Sequence, residues 1–167
     1  VQGYYSISAI STQTAPTYLL SYHEIEFLKA EAYARLNDLV SAKDALEKGI
    51  TAAFQKVNIG LTAEDAATYF SDKVSGLFDA APLSEIMNQK YLAFFEEEAA
   101  EAYNDIRRLR AMGENLITLE NPNNATKFPL RCSYGSADVT TNANVRNAYG
   151  DGNYVYTENV WWAGGTR

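Results

Sequence analysis

Histidine, cysteine and proline are scarce in this chain: one His (His23), one Cys (Cys132) and four Pro among 167 residues. A single cysteine excludes an intrachain disulfide and a cysteine-rich zinc site. A single histidine excludes a multi-histidine metal centre. No apolar run approaches the roughly 18–20 residues a membrane-spanning helix needs. Basic charge is also short: 14 Lys and Arg stand against 21 Asp and Glu, for a net charge of −7. An acidic chain does not suit phosphate backbones, so nucleic acid is not an expected partner. The chain does not begin with Met, and no basic segment followed by an apolar core is visible. It therefore shows no signal peptide and is expected to be a processed or truncated chain.

What is present is apolar and aromatic. The sequence is 47% hydrophobic and 13% aromatic, with 12 Tyr, 7 Phe and 2 Trp. That suffices for the core of one domain. Abundant Tyr suits surfaces that stack on ring-shaped ligands, and it equally suits protein interfaces.

Charge divides the chain into three zones. Residues 1–20 carry no charged side chain, 21–110 carry 26, and 111–167 carry nine. The first zone reads as an extended lead-in, with a short strand around Tyr4, Tyr5, Ile7 and Ile10 and a turn at Ala15-Pro16. The middle zone reads as helices. Ser21 and Glu24 have the form of a capping box, and Ile25, Leu28, Ala32 and Leu36 make an apolar face behind it. Glu31 and Arg35 stand as an i,i+4 pair. A second helix is expected from Ser41, with Ala42, Ala45, Leu46, Gly49, Ile50, Ala53 and Phe54 in a stripe. The link between the two is so short that they must form an antiparallel hairpin, its backbones brought close by Ala42, Ala45 and Gly49. A third helix follows Thr62, with Asp65 at N3, and runs towards Gly76. After Ala81-Pro82, helices are expected over 84–96 and 98–112, or one long helix in their place, stopping at Gly113. Beyond Glu114 the helical period is lost and turn clusters appear, with a short strand expected at Tyr154-Val155-Tyr156. The expectation is a single partial domain over 1–167: lead-in 1–20, helices 21–113, and a loop-rich aromatic tail 114–167 packed on them.

Ala30, Tyr33, Ala42, Leu46 and Gly49 resemble the spacing of a tetratricopeptide hairpin. A longer, ordered set of segments resembles the SusD/RagB family. It comprises Glu24, Phe27, Ala30, Glu31 and Ala32, then Ile86, Gln89, Lys90, Tyr91 and Ala93, then Glu101, Ala102, Asp105, Arg107 and Arg108. Pro129, Arg131 and Tyr134 follow, with Asn142 and Asn144, Gly150-Asp151 and Val160-Trp161-Trp162. Tyr103 stands where that family commonly has Trp, and the family's members are much longer. The resemblance implies a mainly α fold with tetratricopeptide-like hairpins and an irregular aromatic C-terminal segment. It also implies the C-terminal part of a lipid-anchored protein at the bacterial outer-membrane surface. Such a protein would bind oligosaccharide, polysaccharide or another nutrient without catalysis and pass it to a SusC-type TonB-dependent transporter. A helical-repeat protein-interaction module is the alternative.

The residues themselves offer little chemistry. Glu96, Glu97, Glu98 and Glu101 read as a solvated helix start, where acidic groups suit the helix dipole. Arg107, Arg108 and Arg110 read as helix C-terminal charges, with Arg108 pairing to Asp105, although they could hold an acidic ligand. His23 reads as structural or exposed, and Cys132 as a packed small side chain. Asp151 and Asn153 read as a turn and not a calcium loop, and the Asn124-Ala125-Thr126 sequon as chance. No catalytic residue, metal ligand or cofactor is therefore expected. Ligand contact is assigned to Tyr4, Tyr5, Tyr154, Tyr156, Trp161 and Trp162, whose rings can stack on the flat face of a sugar; the alternative is that these rings pack in the core, with Trp161 and Trp162 buried against the helices.

Overall fold

The structure, a computed structural model, describes residues 14–56, 59–117, 119 and 128–165. The strand expected near Tyr4 and Tyr5, and the sequon at Asn124, lie outside the described residues. The fold is mainly α, with no strand among the described residues. They form two compact units, one up to residue 118 and one from residue 119 onward.

In the first unit, Ser21 Oγ accepts the Glu24 N–H at 3.2 Å and caps α1 (Tyr22–Arg35). The helix ends where Asn37 takes a left-handed φ of 62°. That residue turns the chain back at once, so Asp38 becomes the next cap: its carboxylate accepts the Ser41 N–H at 3.1 Å. Accordingly α2 (Leu39–Phe54) starts two residues before the expected Ser41, which lies inside the helix. The two helices pack along their lengths as a hairpin. A Cβ on Gly49 would stand 3.3 Å from the Phe27 ring, so the small side chain is what lets the helices approach.

Thr62 and Asp65 form a complete capping box for α3 (Ala63–Tyr69). The helix does not stop near Gly76 as expected. It passes through a π turn at Phe70–Val74 into α4 (Ser75–Ala80). The extra residue of that turn keeps Phe70, Val74 and Phe78 all in the core. Next come α5 (Pro82–Ala93) and α6 (Ala99–Ala111), two helices separated at Glu96, whose φ is 66°. The core joins Phe27 and Ala30 of α1, Ala42, Ala45, Leu46 and Ile50 of α2, and Ile86 of α5.

The face of α1 that meets this core differs from the apolar one read in the sequence. Ile25 and Leu28 are partly exposed and Leu36 is 78% exposed, while His23, Glu24, Glu26 and Glu31 are buried beside Phe27 and Ala30. His23 and Glu31 go inside because Glu98 and Arg108, far along the chain, meet them there, while Glu26 pairs locally with Lys29.

The second unit contains α7 (Ser136–Thr141), α8 (Ala143–Tyr149), α9 (Tyr154–Thr157) and a 3₁₀ turn at Trp161–Ala163. The strand expected at Tyr154–Tyr156 is a helical turn. Its amides find acceptors locally, with the Val155, Tyr156 and Glu158 N–H groups bonding Gly152, Asn153 and Tyr154 carbonyls. Asp151 accepts from both the backbone and side-chain nitrogens of Asn153 at 3.0 Å, which sets the preceding turn. Asn142 caps α8 through the Asn144 and Val145 amides. Cys132, expected to be packed, is exposed. The neighbouring Arg131 and Tyr134 turn to the unit's rings, leaving the thiol outside.

Candidate functional site

Two constellations stand out, one in each unit. The first is ionic. Arg108 of α6 grips Glu31 of α1 with two bonds, at 2.8 and 2.7 Å, and also meets Asp105 at 3.0 Å. The other Asp105 oxygen accepts from Lys90 of α5 at 2.7 Å. Arg35 bonds Glu31 at 2.8 Å and clasps Glu114 with bonds of 2.9 and 2.7 Å. Three cations thus alternate with three carboxylates across α1, α5, α6 and the segment behind α6. Lys90 and Glu31 are 3% and 5% exposed, so the chain starts in the interior, and it runs out through the part-exposed Arg108 and Arg35 to Glu114 at the surface.

Burial alone would raise the Glu31 carboxyl, but the bonds from Arg108 and Arg35 outweigh it and hold the group below its ordinary value. The bond to Glu31 raises Arg108 in turn. Beside this chain, Gln89 donates to Glu85 at 2.8 Å and pairs with the Tyr69 hydroxyl. Asp105 and Arg108 therefore form the pair their spacing suggested. The sequence could not show that the same Arg108 reaches Glu31, 77 residues away.

Of the acidic run before α6, Glu96 and Glu101 are exposed as expected, but Glu97 and Glu98 are drawn inward. Glu98 is 5% exposed and bonded to His23, and Lys56 stands 3.4 Å from Glu97 and 3.6 Å from Glu98. A histidine and a lysine brought in from α1 and the end of α2 replace the water that the expectation assumed. Among the described residues, no group of three or more His, Cys, Asp or Glu side chains converges as metal ligands would.

The second constellation is aromatic. The rings of Tyr134, Tyr149 and Tyr154 pack with centroids 4.9–5.8 Å apart. The Tyr134 N–H donates to the Tyr154 hydroxyl at 2.6 Å. The Arg131 guanidinium stands 5.3 Å from the Tyr154 ring and 6.0 Å from that of Tyr134. Tyr154 is 4% exposed, so it is the hub that supports this unit and not part of its surface. Tyr156 is 39% exposed, Trp161 59% and Trp162 60%. The Trp pair stands on a turn closed by Gly164 at a φ of 90°. Gly165 then donates to the Val160 carbonyl, and a Cβ there would fall 2.0 Å from the Asn159 carbonyl oxygen. Only glycine fits, so the turn that presents the two indoles is fixed by sequence. Tyr4 and Tyr5 lie outside the described residues.

No described helix is long and apolar enough to cross a membrane. No curated protein matches the chain. A crystal structure of a SusD/RagB family protein from Bacteroides thetaiotaomicron matches with a TM-score of 0.68 and 46% identity, over 92% of this chain. The chain spans 37% of the length of that protein. A family model described as starch-binding and associating with the outer membrane matches residues 2–135. With its braced helices and its match over most of its length, the chain belongs to the SusD-like family.

Proposed function

We propose that this chain forms part of a non-catalytic receptor at the bacterial cell surface. The receptor binds oligosaccharide or polysaccharide and delivers it to a TonB-dependent transporter of the SusC type, with a lipid anchor holding it at the outer membrane. The observation that carries this reading is the exposed Trp161–Trp162 pair on a glycine-closed turn, in a chain whose family is described as starch-binding. The apolar C–H face of a sugar ring packs on an indole, while polar neighbours bond its hydroxyls. Tyr156, 39% exposed, is a further candidate contact, Tyr154 is buried among Tyr134, Tyr149 and Arg131, and Tyr4 and Tyr5 are retained as further contacts. The non-catalytic part of the proposal is supported by the fate of the carboxylates. Glycoside hydrolysis needs two of them facing across a cleft, whereas Glu31, Asp105, Glu97 and Glu98 each stand against a cation inside the helical unit.

Titration calorimetry of the full chain against linear and branched glucan oligosaccharides tests the reading. Trp161→Ala and Trp162→Ala should each weaken binding about tenfold, or ~1.4 kcal/mol, with the melting temperature unchanged and no product released. Unchanged affinity in both variants would remove the Trp pair from the site. One observation favours a second reading, a helical-repeat protein-interaction module: Ile25, Leu28, Leu36 and Val40 put apolar surface on the outside of the hairpin. That module would bind none of the glycans.

A further inference from the structure

The buried groups around His23 have no part in the ligand surface. His23 Nε2 lies 2.5 Å from Glu98 Oε2, with both side chains 3–4% exposed. The imidazole is edge-on to Tyr18 of the lead-in and to Phe94 at the end of α5. Lys56, two residues past α2, lies over the Tyr18 ring, donates to the Ala93 carbonyl, and stands within 3.6 Å of Glu97 and Glu98. Glu97 Oε2 is buried and has no hydrogen-bond partner in this cluster. The lead-in, α1, the end of α2 and the α5–α6 turn therefore meet at one closed polar knot. Among the described residues, His23–Glu98 is the hydrogen bond that links α1 directly to that turn.

We propose that the His23–Glu98 bond is an acid-opened clasp that fixes the α5–α6 turn, and with it the start of α6, against the helical hairpin. Burial holds the His23 imidazole below its ordinary value, against the opposing pull of the Glu98 bond and charge; Lys56 lowers it further and Glu97 raises it. The imidazole is therefore neutral at pH 7 and donates Nε2–H to the carboxylate. An opened turn exposes His23 to water, where it takes a proton at its ordinary value of 6.5. The open form thus binds more protons, so the clasp is fully present above pH 6.5 and weakens as pH falls. Glu24, on the same helix and facing Lys90, Glu98 and Glu101, works in the opposite sense. Burial raises its carboxyl, so its own protonation in acid favours the closed form.

The test is amide hydrogen exchange of residues 94–102 in the full chain between pH 7.5 and 5, corrected for the intrinsic pH dependence, with the His23 ring titrated by NMR. The parent should open severalfold more often at pH 5 than at pH 7.5, and the His23 midpoint should lie below 6.5. In His23→Gln, which keeps a donor but not the titration, the acid opening of these amides should be lost, leaving only the opposite, weaker trend that Glu24 supplies. Lys56→Met removes a nearby positive charge and should move the His23 midpoint up. A His23 midpoint at or above 6.5, or the same acid response in His23→Gln as in the parent, overturns the proposal. So does an acid response spread evenly over all helices.

Discussion

The helical unit and the aromatic unit solve burial in opposite ways. The first puts His23, Glu24, Glu26, Glu31, Lys56, Lys90, Glu98 and Asp105 inside and leaves Leu36 and Val40 largely exposed. The second packs three tyrosines together, two of them against one arginine, and leaves its two tryptophans outside. A charged side chain can be interior if an opposite charge is delivered to it, and a large apolar one can be exterior if the chain turns it out. The difference separates two roles. Glu31, Lys90, Asp105 and Arg108, all among the residues that carry the family resemblance, brace the helices. The exposed aromatic rings are the part of the molecule to which the proposal assigns the ligand.

The comparison can be broken most strongly through Asp105. Asp105→Asn deprives the buried Lys90 of its carboxylate and should cost about 3–5 kcal/mol, read as a lower midpoint in urea unfolding of the full chain. Acid acts on the same brace. Glu31 is held below its ordinary value in the fold, so its contribution is present above the unfolded value of 4.5 and is lost as pH falls through its folded one. A Glu31→Gln variant should therefore show a shallower loss of stability below pH 4.5 than the parent.

In the aromatic unit the corresponding loss is smaller. Tyr154→Phe keeps the ring cluster and removes one acceptor, leaving the Tyr134 N–H without it. About 1–3 kcal/mol is expected, read as faster amide exchange around residues 134 and 154. Smaller again is Asp38→Ala, which removes the cap of α2 and should cost about 1 kcal/mol. Trp161→Ala sharpens the contrast from the other side, with a stability change within about 0.5 kcal/mol while glycan affinity falls. A large destabilisation by Trp161→Ala would place that ring among the supports, with Tyr154.

Much of the helical unit was legible in the sequence because its signals are local. Ser21, Thr62 and Asp65 cap as their spacing indicates, and the break near Glu96 separates α5 from α6. The Asp105–Arg108 and Glu31–Arg35 pairs also form as read. The inward face of α1 was not legible. Periodicity registers only that Ile25, Leu28 and Leu36 are apolar. It carries no trace of Arg108, 77 residues from Glu31, or of Glu98, 75 residues from His23. The same blindness made Glu97 and Glu98 look solvated. In the second unit, short elements defeat pattern reading: Tyr154-Val155-Tyr156 has strand composition, yet the Asp151–Asn153 turn leads it into a helical one. Residue type made Tyr154, Trp161 and Trp162 candidates alike; that the Trp pair is exposed and Tyr154 buried follows only from the fold.

The most direct test of the brace is a double-mutant cycle on Lys90 and Asp105, measured by urea unfolding of Lys90→Met, Asp105→Asn and the pair together. If the charges act as one interior chain, the double variant is more stable than the sum of the single losses implies, with a coupling of about 1.5–3 kcal/mol. Losses that add to within about 0.5 kcal/mol would mean that the two residues act separately, and the account of these charges as a common support would be wrong.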